Sequence, residues 1–164
     1  MVGCAETAEI VPIPDTVYDF SLTDTLNNKV QLTDLTNTND GVVIVFFRGH
    51  FWGICRQQLV ELEGIYNEFK KYNAELVAIS MDSREDTLSL IRELGLSYHV
   101  LPDPTGKVVK KYDVYNLLGD GVATPSVFIV SGEKSVNWKY IGESISDRPD
   151  NETLLSQIRK TSAK

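Results

Sequence analysis

The sequence predicts an α/β fold: a mixed β-sheet with helices on both faces. Three observations carry this prediction. Val42 to Phe47 is a continuous apolar run of strand length, and Val127 to Val130 is another. Segments between such runs repeat their apolar residues at three- and four-residue spacing, the signature of a helix with one buried stripe. Near the end, Val136, Trp138 and Tyr140 alternate with polar residues, which marks a half-buried strand. Continuous apolar strands are buried on both faces, and alternating β and α units build parallel sheets.

The elements follow in order. Tyr18, Phe20 and Leu22 alternate, Asn27-Asn28 make a turn, and Val30 and Leu32 alternate again, so residues 16–35 read as an N-terminal β-hairpin. Thr36 to Asp40 reads as a polar loop. After the strand at Val42, a helix is expected from about Ile54 to Tyr72, with Leu59, Leu62, Tyr66 and Phe69 as its stripe. The run Ala74 to Met81 is the next strand. Ser83, with Asp86 three residues on, resembles a capping box for a helix that Gly95 ends. A short strand at Tyr98 to Leu101 leads to a short helix carrying Val108, Val109 and Tyr112. The strand at Val127, a turn over Ser131 to Ser135, and the return strand follow. The last helix starts after Arg148-Pro149-Asp150 and buries Leu154, Leu155 and Ile158. Residues 1–14 read as a flexible leader and residues 15–164 as one domain.

Composition narrows the function. The 164 residues are 42% hydrophobic and 24% charged, with a net charge of -7, which excludes a disordered chain and argues against binding a nucleic-acid backbone. No apolar run approaches the roughly 20 residues of a membrane-spanning helix. Two cysteines, Cys4 and Cys55, exclude a disulfide scaffold and a multi-thiolate zinc site. No phosphate-cradling glycine loop is present, and no metal-ligand spacing, so no cofactor and no metal are expected. Residues 2–4, Val-Gly-Cys, resemble the end of a bacterial lipoprotein signal. The leader is otherwise plain, so the cytoplasm is the expected location, with lipid anchoring through Cys4 as the alternative.

Chemistry is expected at the carboxyl end of the central strand, where open α/β sheets place their sites. The strand runs into Arg48-Gly49-His50-Phe51-Trp52-Gly53-Ile54-Cys55-Arg56 and then into the helix. Cys55 falls in the first helical turn, where free N–H groups and the positive dipole end favour a thiolate. Arg48, His50 and Arg56 add local positive charge in an acidic chain. A lone cysteine is more often a small buried hydrophobe, but this placement favours a reactive thiol. His50 reads as a polar loop residue rather than a base, and His99 as structural. Phe51 and Trp52 either cover the sheet edge or line the approach to the thiol.

The segment Phe-Phe-Arg-Gly-His-Phe-Trp-Gly-Ile-Cys-Arg-Gln-Gln-Leu (46–59) resembles the active-site segment of the thioredoxin-fold peroxiredoxin family, also called alkyl hydroperoxide reductase/thiol-specific antioxidant (AhpC/TSA). Asp103-Pro104-x-Gly-Lys, Thr124-Pro125-Ser-Val-Phe-Ile-Val, Trp138-Lys-Tyr-Ile-Gly and Asp147-Arg148-Pro149 are similar to further segments of that family. The resemblance spans residues 15–160. It implies a thioredoxin fold with an N-terminal β-hairpin extension. It also implies a cis bond at Pro125 close to the Trp52–Cys55 loop, and a trans bond there would weigh against the fold. Two departures stand out. The first cysteine of the Cys-x-x-Cys pattern, or the threonine of Thr-x-x-Cys, is Trp52, and a proline a turn earlier is Arg48. The family's arginine near the cis-proline strand is replaced by Thr124 or Pro125, leaving Arg48, Arg56 or Arg148 as substitutes.

The resemblance implies a thiol-dependent antioxidant peroxidase in which Cys55 is the nucleophile and Trp52, Arg48 and Arg56 line the reacting centre. Phe51, Thr124 and Pro125 would contact substrate. The substrate would be a peroxide or disulfide and the reductant a thioredoxin-like or small thiol; a homodimer is compatible. Cys4 is a candidate resolving cysteine. Two alternatives stay open. One is a thiol–disulfide oxidoreductase whose attacking residue has been replaced at position 52. Some family members carry selenocysteine there, encoded by UGA, one base from the Trp codon UGG, and the native codon decides that version. The other is a non-enzymatic module that binds a partner over Phe51 and Trp52.

Overall fold

The structure, a computed structural model, describes residues 17–162. The leader, Cys4 and the lipid-anchor reading lie outside the described residues. A small antiparallel hairpin opens the fold: β1 (Ser21–Thr23) pairs with β2 (Lys29–Gln31). The main chain then alternates through α1 (Leu32–Thr38), β3 (Gly41–Phe46), α2 (Gly53–Lys71), β4 (Ala74–Ser80), α3 (Arg84–Leu94), β5 (His99–Pro102) and α4 (Lys107–Lys111). It closes with β6 (Ser126–Ser131), β7 (Val136–Ile141) and α5 (Asn151–Ser162).

The five long strands form one mixed sheet in the order β5-β4-β3-β6-β7. β3 runs parallel to β4 and antiparallel to β6, and all six of its residues are buried. This is what its unbroken apolar sequence demands, since neither face meets water. Odd positions Val43 and Val45 face a core with Leu59, Leu62 and Phe69 of α2, Leu90 of α3, and Leu154 and Ile158 of α5. Even positions Val42, Ile44 and Phe46 face a second core with Phe20, Leu32, Val108, Val109 and Tyr112. Side chains alternate across a strand, so one sequence run feeds both cores. This is a thioredoxin fold with an N-terminal hairpin. Among the described residues, no helix is long and apolar enough to cross a membrane.

Two expectations are corrected. The hairpin and polar loop expected over residues 16–40 contain a helix, α1, inside that span. No side chain caps α1 from its N-cap residue. Instead Asp19, far back in sequence, accepts from the Thr33 backbone N–H at 2.9 Å and from its hydroxyl at 2.6 Å. Tertiary contact thus replaces a local start signal. The second correction is at Pro125. No peptide bond among the described residues is cis, so Thr124–Pro125 is trans. Trans is the lower-energy form of X–Pro bonds, and here the Thr124 N–H reaches Val114 O at 2.8 Å while Pro125 O accepts from Gly142 N–H at 2.8 Å. The fold assignment stands on strand order and register rather than on that bond.

Candidate active site

The carboxyl end of β3 delivers the chain into a turn that starts α2. Gly49 (φ +156°) sits at its tightest point: a Cβ there would come within 3.2 Å of Asp82 Oδ1 and 3.6 Å of Trp52 Cδ1. Trp52 is the N-cap residue of α2 and makes no side-chain cap hydrogen bond, because an indole has no acceptor oxygen. Cys55 is the third residue of the helix, on the face that also buries Gln58, Leu59 and Leu62. Its thiol is free and has no exposed surface.

Among the described residues, one cation meets that sulfur. Arg148 Nη2 lies 3.5 Å from Cys55 Sγ and donates to Ile145 O at 2.9 Å. Its Nη1 donates to Gln58 Oε1, one turn after the cysteine. Its Nε is buried and has no acceptor among the described residues. Of the three arginines offered by the sequence as substitutes, the structure therefore brings Arg148 to the thiol. Arg48 is buried and pairs with Asp120 at 2.8 Å, with its guanidinium 4.0 Å from the Trp52 ring centroid. Arg56 reaches Glu93 at 2.7 Å and the His50 carbonyl at 3.4 Å.

His50 is tied down on both sides. Its Nδ1 is 2.6 Å from Asp82 Oδ1, and its Nε2 is 3.7 Å from Asp86 Oδ1. Asp82 also accepts from Ser80 Oγ at 2.7 Å. The histidine anchors the β3–α2 turn to the end of β4 and the start of α3. Thr124 and Pro125 are buried at the start of β6, and Thr124 Oγ1 accepts from the Leu117 N–H at 3.1 Å. Phe51 is 83% exposed, Trp52 44% and Ile54 40%, so the turn presents an apolar rim. Gln58, Asp82 and Asp120 were not singled out from sequence. Asp82 had a usable signal, since ends of neighbouring parallel strands converge; Asp120, in the Asn116–Ala123 loop, had none.

The AhpC/TSA family model matches residues 13–139. The chain belongs to the AhpC/TSA family. Among its relatives, peroxiredoxin 2 of Picrophilus torridus is 25% identical over 141 residues, covering 81% of this chain and 68% of that protein. The thiol-disulfide oxidoreductase ResA of Bacillus cereus is 24% identical over 135 residues, covering 79% of this chain and 70% of that protein. The crystal structure of Enterococcus faecalis AhpC superposes with a TM-score of 0.80 at 22% identity, covering 92% of each chain, which shows the shared fold. As an AhpC/TSA protein, the chain carries Cys55 and Arg148 in contact, with Trp52 at the N-cap.

Proposed function

We propose that this AhpC/TSA protein is a thiol peroxidase acting through Cys55. One observation carries the reading: a free thiol in the first turn of α2 with the Arg148 guanidinium 3.5 Å from its sulfur. Helix N–H groups and that cation both stabilise negative charge on sulfur and on the departing oxygen. The thiolate attacks one peroxide oxygen. An S–O bond forms, the O–O bond breaks, and the second oxygen leaves as an alcohol or water after taking a proton. Cys55 is then a sulfenic acid. An outside thiol displaces its oxygen as water and forms a mixed disulfide, and a second thiol releases Cys55 as the thiol.

The experiment is peroxide-dependent oxidation of a thioredoxin-type or small thiol by the purified chain, with sulfenic acid trapped in parallel. Activity and trapping are expected in the Cys4→Ser protein and absent from Cys55→Ser. Turnover that survives Cys55→Ser refutes the assignment.

A second reading is favoured by the contrast in exposure: Trp52 is 44% exposed while Cys55 has none. In a disulfide reductase the accessible position of the motif holds the attacking residue. On this reading the chain is a thiol–disulfide oxidoreductase with an inert residue at its attacking position.

A further inference from the structure

Arg148 reaches Cys55 from the segment between β7 and α5, which has no regular structure. That segment is nonetheless held from two sides at Asp147. Its carboxylate accepts from the Tyr140 hydroxyl through Oδ1 and from the Glu143 N–H through Oδ2 at 2.8 Å. Its carbonyl is pressed against Gly142, where a Cβ would come within 2.5 Å of it and 2.9 Å of Pro125 O. Gly142 in turn donates to Pro125 O at 2.8 Å. Tyr140 is the end of this chain of contacts that lies in the sheet. It sits on β7 in register with Val127 of β6, and its ring packs beside Trp138 with centroids 6.0 Å apart.

The next residue after Asp147 is Arg148. An arginine has a long, flexible side chain, and its guanidinium is held at one point only if its own backbone is held. Here the sheet fixes Tyr140, Tyr140 fixes Asp147, and Asp147 fixes the backbone from which Arg148 reaches Gln58, Ile145 O and Cys55 Sγ. Hydrogen bonds from the Glu143 N–H and the Tyr140 hydroxyl hold the Asp147 carboxyl below the usual carboxylate range. The hydrogen bond to Asp147, with burial and the Glu143 charge, pushes the Tyr140 phenol up. Donor and acceptor are thus both in the required form at neutral pH.

We infer that Tyr140 and Asp147 are a positioning pair that sets the Arg148 guanidinium against the Cys55 sulfur. This rests on the reading of Cys55 as the reacting thiol, and its test is separate from peroxidase turnover. The measurement is the pH dependence of the ultraviolet thiolate absorbance of Cys55 in the full chain carrying Cys4→Ser, which needs no reagent to reach the buried sulfur. Tyr140→Phe removes one hydroxyl and keeps the ring. The thiolate midpoint is expected to rise by about half a pH unit to one unit as Arg148 loses its place beside the sulfur. Asp147→Asn, which keeps the side chain's size and removes its charge, is expected to give the same rise. Arg148→Met is expected to give a larger one, and adding Tyr140→Phe to it no more, since residues acting through one contact are not additive. An unchanged midpoint in both single variants overturns the inference, as does an equal shift on the Arg148→Met background. If the thiolate midpoint depends on Tyr140 but Cys55 does not reduce peroxide, the positioning pair stands and the peroxidase assignment falls.

Discussion

Trp52 and Arg48 are the two residues that depart from the family's pattern around Cys55, and they touch each other. The guanidinium lies 4.0 Å from the indole centroid and is pinned at its other end by Asp120. Such a pair contributes about 0.5–1 kcal/mol when exposed and about 2 kcal/mol when desolvated; with Arg48 buried and Trp52 half-exposed, the turn gains order that an N-cap oxygen supplies elsewhere. A side chain at position 52 is therefore accessible, anchored and without redox chemistry. Trp52→Cys puts a thiol at this exposed N-cap, three residues before a buried second thiol. Disulfide reductase or peroxidase turnover is expected to rise by orders of magnitude, at least about a hundredfold, corresponding to about 2.7 kcal/mol in the barrier. The check is paired assays of both proteins with peroxide and with a disulfide substrate; equal turnover removes the oxidoreductase reading. Cys55 was legible in the sequence because everything that marks it is local: strand end, helix start, nearby cations. Its partner Arg148 stands 93 residues away, and only the resemblance around Asp147-Arg148-Pro149 hinted at it. Nothing in the chain could tell which of three arginines the fold would bring in.

At the level of elements, α3 shows what local chemistry can specify. Ser83 Oγ accepts from the Asp86 N–H at 3.1 Å, and Gly95 adopts the left-handed conformation (φ +65°) that closes the helix. Both ends were legible from residue types alone. The expected reciprocal half of the capping box is diverted, because the Asp86 carboxylate lies 3.7 Å from His50 Nε2. Ser83→Ala is expected to cost about 1 kcal/mol, read from the urea unfolding midpoint at unchanged slope. An unaltered midpoint would show that the His50–Asp86 and His50–Asp82 contacts, not the serine, hold that helix start. α1 is the opposite case. Its sequence Leu-Thr-Asp-Leu-Thr-Asn-Thr is rich in residues that prefer turns and caps, so no helical signal survives in it. It forms because Leu32 and Thr36 are buried and Asp19 receives Thr33. Burial by the rest of the molecule outweighs weak propensity.

For the whole molecule, the fold class followed from apolar runs alternating with helical stripes, and those are the strands and helices of the structure. Strand order was not legible, because β6 could pair with β3 or extend an edge with equally apolar residues. The arrangement β5-β4-β3-β6-β7 places the earliest long strand in the middle. This has a consequence for how the protein is made. β3, α2 and β4 complete a unit by Ser80, but the other side of β3 waits for β6, which ends at Ser131. Synthesis adds roughly 5–20 residues per second, so the interval lasts several seconds. For that time an entirely apolar strand offers a bare row of N–H and C=O groups, the template on which other chains add. Chains that stop at Asp120 are expected to precipitate or to be recovered on a chaperone, whereas the full chain stays soluble. A dispersed, monomeric product ending at Asp120, judged by sedimentation of the freshly synthesised fragment, would mean that the nascent protein shields this edge by other means. Until residue 131 is made, the strand that holds the finished sheet together keeps one edge open to neighbouring chains on the same messenger.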